Sequence, residues 1–162
     1  MEEKYHPAEI CMEGHVKSAK ADIDRDGRKF CKVCGGSIIE KCPTCVHQID
    51  GLLMAEDSQI VPYVAPKYCP FCGTAYPWTK NILDKASKLI EETNLSSQEK
   101  AQMKISLDTI ARNAPGAQTD ALRVKEYTKK IGGQLGLMLK DIAVEMASEK
   151  IKDLLTVEYH WF

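Results

Sequence analysis

The sequence predicts a small α+β chain in which a cysteine-rich first part is followed by an α-helical domain of three to four helices. Three observations predict it. All seven cysteines lie in residues 1–78. Six of them fall into Cys-x2-Cys pairs, the spacing of a tight metal-binding turn. Residues 79–162 contain no cysteine and repeat apolar residues at helical spacing. The handover is placed at Tyr76-Pro77-Trp78-Thr79, giving domains 1–78 and 79–162. Hydrophobic residues make up 44% of the 162 residues and charged residues 28%, enough apolar material for a modest core. No apolar run approaches the ~20 residues of a transmembrane helix. The polar start, Met1-Glu2-Glu3-Lys4, does not read as a secretory signal, so a cytoplasmic location is expected.

An odd number of cysteines suits a disulfide framework badly, and ligand arithmetic suits metal well. Cys11 and His15 form Cys-x3-His; Cys31/Cys34, Cys42/Cys45 and Cys69/Cys72 are each Cys-x2-Cys. Four pairs supply eight ligands, as many as two tetrahedral zinc sites require. Gly35 and Gly73 follow their pairs and permit the positive φ that such a turn favours; Gly14 does the same ahead of His15. Phe30-Cys31-x-x-Cys34-Gly35 and Tyr68-Cys69-x-x-Cys72-Gly73 are near-repeats, so two copies of one small unit are expected: two tandem zinc ribbons with short β-hairpins. Sequential pairing puts Cys11, His15, Cys31 and Cys34 on one ion and Cys42, Cys45, Cys69 and Cys72 on the other. It is favoured over nested or interleaved pairing because it makes the two units alike. His47, two residues after Cys45, competes with His15 for the eighth position. His6 and His160 have no evident partner.

Sites filled by four protein ligands leave no open position for water or substrate, so two structural Zn2+ ions are expected, with no catalytic residues and no enzyme activity. The chain has no nucleophile elbow, phosphate loop or dinucleotide fingerprint. Gly132-Gly133-x-x-Gly136 has helical flanks and reads as a packing feature.

Charge weighs against nucleic acid. Residues 1–78 hold nine Lys/Arg and eleven Asp/Glu. Adding seven thiolates and two divalent ions to that −2 gives about −5, the wrong sign for a phosphate backbone. Lys17, Lys20, Arg25, Arg28, Lys29 and Lys32 gather in one stretch but are interrupted by Asp22, Asp24 and Asp26. Arg123, Lys125, Lys129 and Lys130 form a second basic group. Nucleic-acid binding through either stays the alternative reading, and a redox-responsive zinc–thiolate switch a weaker one.

Thr79 is expected to cap a helix over 80–93, with Ile82, Leu83, Ala86, Leu89 and Ile90 as its stripe. Ser96 with Glu99 is a capping box for a second helix over 97–113, whose inner face carries Met103, Leu107, Ile110 and Ala111. A third segment over 119–156 is lined by Val124, Tyr127, Ile131, Leu135, Met138 and Ile142, extended by Met146, Leu154 and Leu155. Two adjacent glycines inside it cost about 2 kcal/mol of helix propensity. They break the segment near 132 or let another helix approach. Leu137, Leu139 and Val144 widen the apolar surface, so a homo-oligomer, most simply a dimer, is expected with residues 131–155 at the interface. The aromatic tail, Val157-Glu158-Tyr159-His160-Trp161-Phe162, is expected to dock on the chain itself or on a partner.

Ala8-Glu9-Ile10-Cys11-x-x-Gly14-His15-Val16, Phe30-Cys31-x-x-Cys34-Gly35, Cys42-Pro43-x-Cys45 and Tyr68-Cys69-x-x-Cys72-Gly73-x-x-Tyr76-Pro77-Trp78-Thr79 together resemble an uncharacterised bacterial double-zinc-ribbon family, a domain of unknown function. The resemblance covers residues 5–80 closely and the helical part more loosely. It implies a rubredoxin-like ribbon fold and the same eight ligands, and no activity. The resulting expectation is a non-catalytic zinc-binding interaction module that engages protein partners and self-associates through its helices.

Overall fold

The computed structural model describes residues 2–56 and 62–158. The chain divides into two compact units, Met1–Asn81 and Ile82–Phe162.

The first unit contains two small sheets. Strands β1 (Tyr5–Pro7) and β5 (Asp50–Leu53) pair antiparallel, Tyr5 opposite Leu53. Strands β2 (Glu9–Cys11), β3 (Val16–Ser18) and β4 (Ile38–Ile39) form a sheet in the order β3-β2-β4. The hairpin β2–β3 carries the Cys11–His15 turn, and Cys11 sits opposite Ile38, so one strand register draws the first and second ligand pairs together. The unit has little apolar interior: Ala8, Ile10, Ile49, Tyr76, Trp78 and the ligand candidates Cys42 and Cys69. Trp78 anchors it. Its indole lies 4.9 Å from the Tyr76 ring, its Nε1 donates to the Pro66 carbonyl at 2.9 Å, and its Cβ approaches so near Gly14 that a Cβ there would sit 3.1 Å away. Gly51 is fixed by a harder constraint, since a Cβ on it would lie 2.1 Å from the Ala19 carbonyl oxygen.

The basic stretch near residue 25 forms no regular strand, and three of its cations are paired. Lys17 bonds Glu9 at 2.6 Å and Asp26 at 2.8 Å; Arg25 bonds Glu40 at 2.7 Å; Arg28 bonds Asp26. Lys17 on β3 and Glu9 on β2 are almost fully enclosed, and Lys17 also holds Asp26, so its ammonium ties the loop to the β2–β3 hairpin.

The second unit packs helices around one apolar cluster. The described residues hold five helices rather than three or four: α1 (Pro77–Glu91), α2 (Ser97–Arg112), α3 (Ala117–Ile131), α4 (Gly133–Met146) and α5 (Glu149–Thr156). Helix α1 begins at Pro77, ahead of the expected Thr79 cap, because proline suits a first helical position that needs no N–H. Thr79 is therefore inside the first turn, where its buried hydroxyl has no hydrogen-bond partner among the described residues. The Ser96–Glu99 capping box forms as expected, and Asn113 ends α2 in the left-handed region. Helix α3 starts at Ala117, earlier than expected, behind Gly116 at φ 89°.

The glycine pair does break the long segment. Gly132 and Gly133 both have positive φ and separate α3 from α4. The break resets the helical phase: Leu139 and Ala143 are fully buried, while Met138, assigned to the inner stripe by periodicity, is 41% exposed. Gly136 also serves a close approach, but within the chain: a Cβ there would lie 2.6 Å from the Thr128 carbonyl oxygen on α3. Gly136 is thus small because its own chain approaches it. A further break at Ala147, in extended conformation, creates α5. Of the aromatic tail only Val157 and Glu158 are described, the Val157 carbonyl accepting from Lys125; residues 159–162, His160 included, lie outside the described residues.

Candidate metal centres

Each Cys-x2-Cys pair is built by the same local bonds. The first cysteine's amide donates to the carbonyl five residues on: Cys31 to Gly36 at 2.8 Å, Cys42 to His47 at 2.8 Å, Cys69 to Thr74 at 2.9 Å. Its carbonyl accepts from the residue after the second cysteine: Gly35, Val46 and Gly73, at 2.9, 2.9 and 2.8 Å. A single bridge flanks each turn, Phe30–Ser37, Lys41–Gln48 and Tyr68–Ala75. The Cys11–His15 turn is a variant, with Cys11 donating to the His15 carbonyl and Gly14 donating back to Cys11. Gly14, Gly35 and Gly73 hold φ of 91°, 73° and 74°, as the turns demand. In the second pair that position is Val46, at φ 66°. A β-branched residue there is strained.

The turns meet in twos. Cys11, His15, Cys31 and Cys34 bring their ligand atoms within 4.8 Å of one another, and so do Cys42, Cys45, Cys69 and Cys72. Cys11 Sγ lies 3.4 Å from His15 Nδ1 and 3.7 Å from Cys34 Sγ; Cys42–Cys72 and Cys45–Cys69 are 3.8 and 3.6 Å apart. These distances exclude disulfides, and all seven cysteines are free thiols. They fit zinc: tetrahedral ligands about 2.3 Å from an ion place their sulfurs about 3.8 Å apart. The grouping is the sequential one. His15 stands in the first cluster. His47 stands in neither and stacks on Phe71, ring centroids 4.2 Å apart and 8° from parallel. His6 is buried with Nδ1 2.8 Å from Asp22.

The thiols themselves ask for a cation. The Cys34 and Val33 amides draw Cys31 down to about 6. The Thr74 hydroxyl and amide draw Cys72 down to about 6. In the same cluster Cys45 receives the His47 amide, yet burial and its thiol neighbours push it up to about 12. Four crowded thiols cannot all ionise against one another; a divalent ion among them removes the conflict.

A model of the family described as an uncharacterized protein conserved in bacteria, DUF2321, matches residues 4–155. The chain belongs to that family. The match spans both units, so the helical part is as much a family feature as the ribbons, beyond the looser likeness its motifs suggest. No curated protein and no solved structure matches the chain.

The residues of the second basic group are also mostly engaged. Arg123 bonds Asp120 at 2.7 Å, Lys130 bonds Glu99, and Lys125 bonds the Val157 carbonyl. No described helix is long and apolar enough to cross a membrane. Sequence reasoning passed over three contributors to the centres. Thr74 bonds Cys72 Sγ at 3.4 Å, Trp78 packs against the Cys11–His15 turn, and Val46 carries the strained turn. Thr74 and Val46 had a signal, since each holds a fixed place relative to its Cys-x2-Cys pair.

Proposed function

We propose that this protein is a non-catalytic, cytoplasmic interaction module whose first unit is folded around two structural zinc ions. The observation that carries the reading is the pair of four-ligand clusters, Cys11/His15/Cys31/Cys34 and Cys42/Cys45/Cys69/Cys72. Four protein ligands saturate tetrahedral zinc, so each ion holds two turns in place and has no position left for a substrate. The ion pairs that engage Lys17, Arg25, Arg28, Arg123 and Lys130, and the acidic balance of residues 1–78, favour protein over nucleic acid as the partner. Self-association through the helical unit draws support from Leu137 and Met138, 57% and 41% exposed on α4.

Native mass spectrometry tests the metal reading. Two zinc ions per chain are expected, with seven free thiols on denaturation. His15→Ala should empty one site and spare the other, whereas His47→Ala should leave both filled. One ion, or a disulfide in reduced extract, would contradict the reading. Light scattering tests self-association, and a clean monomer at high concentration refutes it.

A further inference from the structure

We propose that the outer surface of the second metal centre, formed by Val46, His47 and Phe71, docks a cationic segment of a partner protein through an arginine side chain. The inference rests on the interaction-module reading and adds the place and the partner's chemistry.

The argument starts from the strained residue. Three turns share one bond pattern, and the position after the second cysteine has φ 73°, 66° and 74°. Two turns place glycine there, where it is free of strain; the third places valine. Val46 is 64% exposed, so its side chain adds little to the interior of its own unit. A strained side chain that does not pack inward is available to something outside, and strain retained at an exposed position points to function.

Its neighbours make a surface. His47, exposed and next in sequence, lies flat against Phe71 from the other turn of the same centre. Phe71 is 58% exposed, so much of its ring stays open. An apolar residue and a stacked aromatic pair thus stand together over one cluster.

Charge chooses the occupant. Four thiolates around one divalent ion would carry a net −2, and the charged side chains of residues 1–78 also sum to −2. Phosphate and carboxylate are repelled there. A guanidinium is attracted, and its flat, weakly hydrated face stacks on an aromatic ring, which ammonium does less well. Val46 then covers the aliphatic stem of the same side chain.

The test uses the full zinc-loaded chain, labelled for NMR and titrated with a hexapeptide containing two arginines. Saturable amide shifts are expected at Val46, His47 and Phe71, weakening as salt rises. Val46→Gly and Phe71→Ser should each bind the peptide about tenfold more weakly or worse, and both should keep two zinc ions by native mass spectrometry. Unchanged affinity in both variants overturns the proposal. So does an absence of shifts, shifts that map elsewhere, or equal binding of the same peptide with glutamate in place of arginine. A single-stranded oligonucleotide that occupies these residues refutes it in favour of nucleic acid. A wild-type chain holding fewer than two zinc ions fails the metal reading instead, and the two failures are separately visible.

Discussion

The two units solve the same problem with different materials. The helical unit buries a continuous apolar cluster, from Ala86 and Ile90 on α1 through Met103, Leu107 and Ile110 on α2 to Leu139, Ile151 and Leu155. The ribbon unit buries far fewer apolar side chains, and Cys42 and Cys69, two of those it does bury, belong to a candidate metal-binding cluster. A unit of this size with so thin an interior needs a further staple, and under the proposed function metal binding would supply it as folding free energy. The difference teaches where each unit is vulnerable: one to anything that competes for zinc, the other to anything that opens a cavity.

Chelation should give the largest effect. A strong zinc chelator is expected to unfold residues 1–78 while most of the helical signal in far-UV circular dichroism survives. Loss of the whole helical signal would show that the units fold as one and would break the comparison. Because thiolates must be deprotonated to bind, acidification should act in the same direction as chelation, releasing zinc as pH falls.

A cavity in the helical unit should do the reverse. Leu107 is 1% exposed at the centre of the cluster. Leu107→Ala is expected to cost about 2–5 kcal/mol in urea unfolding of the helices, with both zinc ions retained by native mass spectrometry. Zinc loss on that substitution would mean that the helices hold the ribbons together.

The contrast also explains what the sequence made legible. The candidate ligands are legible because metal chemistry fixes both residue type and spacing, and the sequential grouping is favoured because the Phe30–Gly35 and Tyr68–Gly73 near-repeats make the two units alike. The capping box at Ser96 and the break at Gly132 are legible for a similar reason: each is a local bond or a local freedom tied to particular residues. What escaped depends on context. The α4–α5 break falls at Ala147 and Ser148, with no glycine or proline to announce it. Met138 matched the apolar period yet turned outward, since periodicity counts through a glycine break that resets the phase. Gly136 looked like a seat for a second molecule because sequence cannot say whose backbone approaches a small residue; here it is Thr128 of the same chain. His6 showed no partner because Asp22 is near it only in space.

The smallest expected effect sharpens the comparison within the ribbon unit itself. All three Cys-x2-Cys turns bend through the left-handed region, and only Val46 does so with a branched side chain. A Cβ in that conformation costs about 1–2 kcal/mol. Glycine removes that cost but gives back part of the gain, because it leaves the unfolded chain freer by about 0.4–1 kcal/mol. Val46→Gly should therefore stabilise the zinc-loaded unit by about 1 kcal/mol in chemical unfolding, with two ions bound and little change in the helices. Gly35→Val and Gly73→Val put the same strain on the other two turns, and each should destabilise by a similar amount. Should Val46→Gly instead destabilise, the side chain is holding something in its own unit. The strain would then be a cost met inside the fold rather than one kept for a partner.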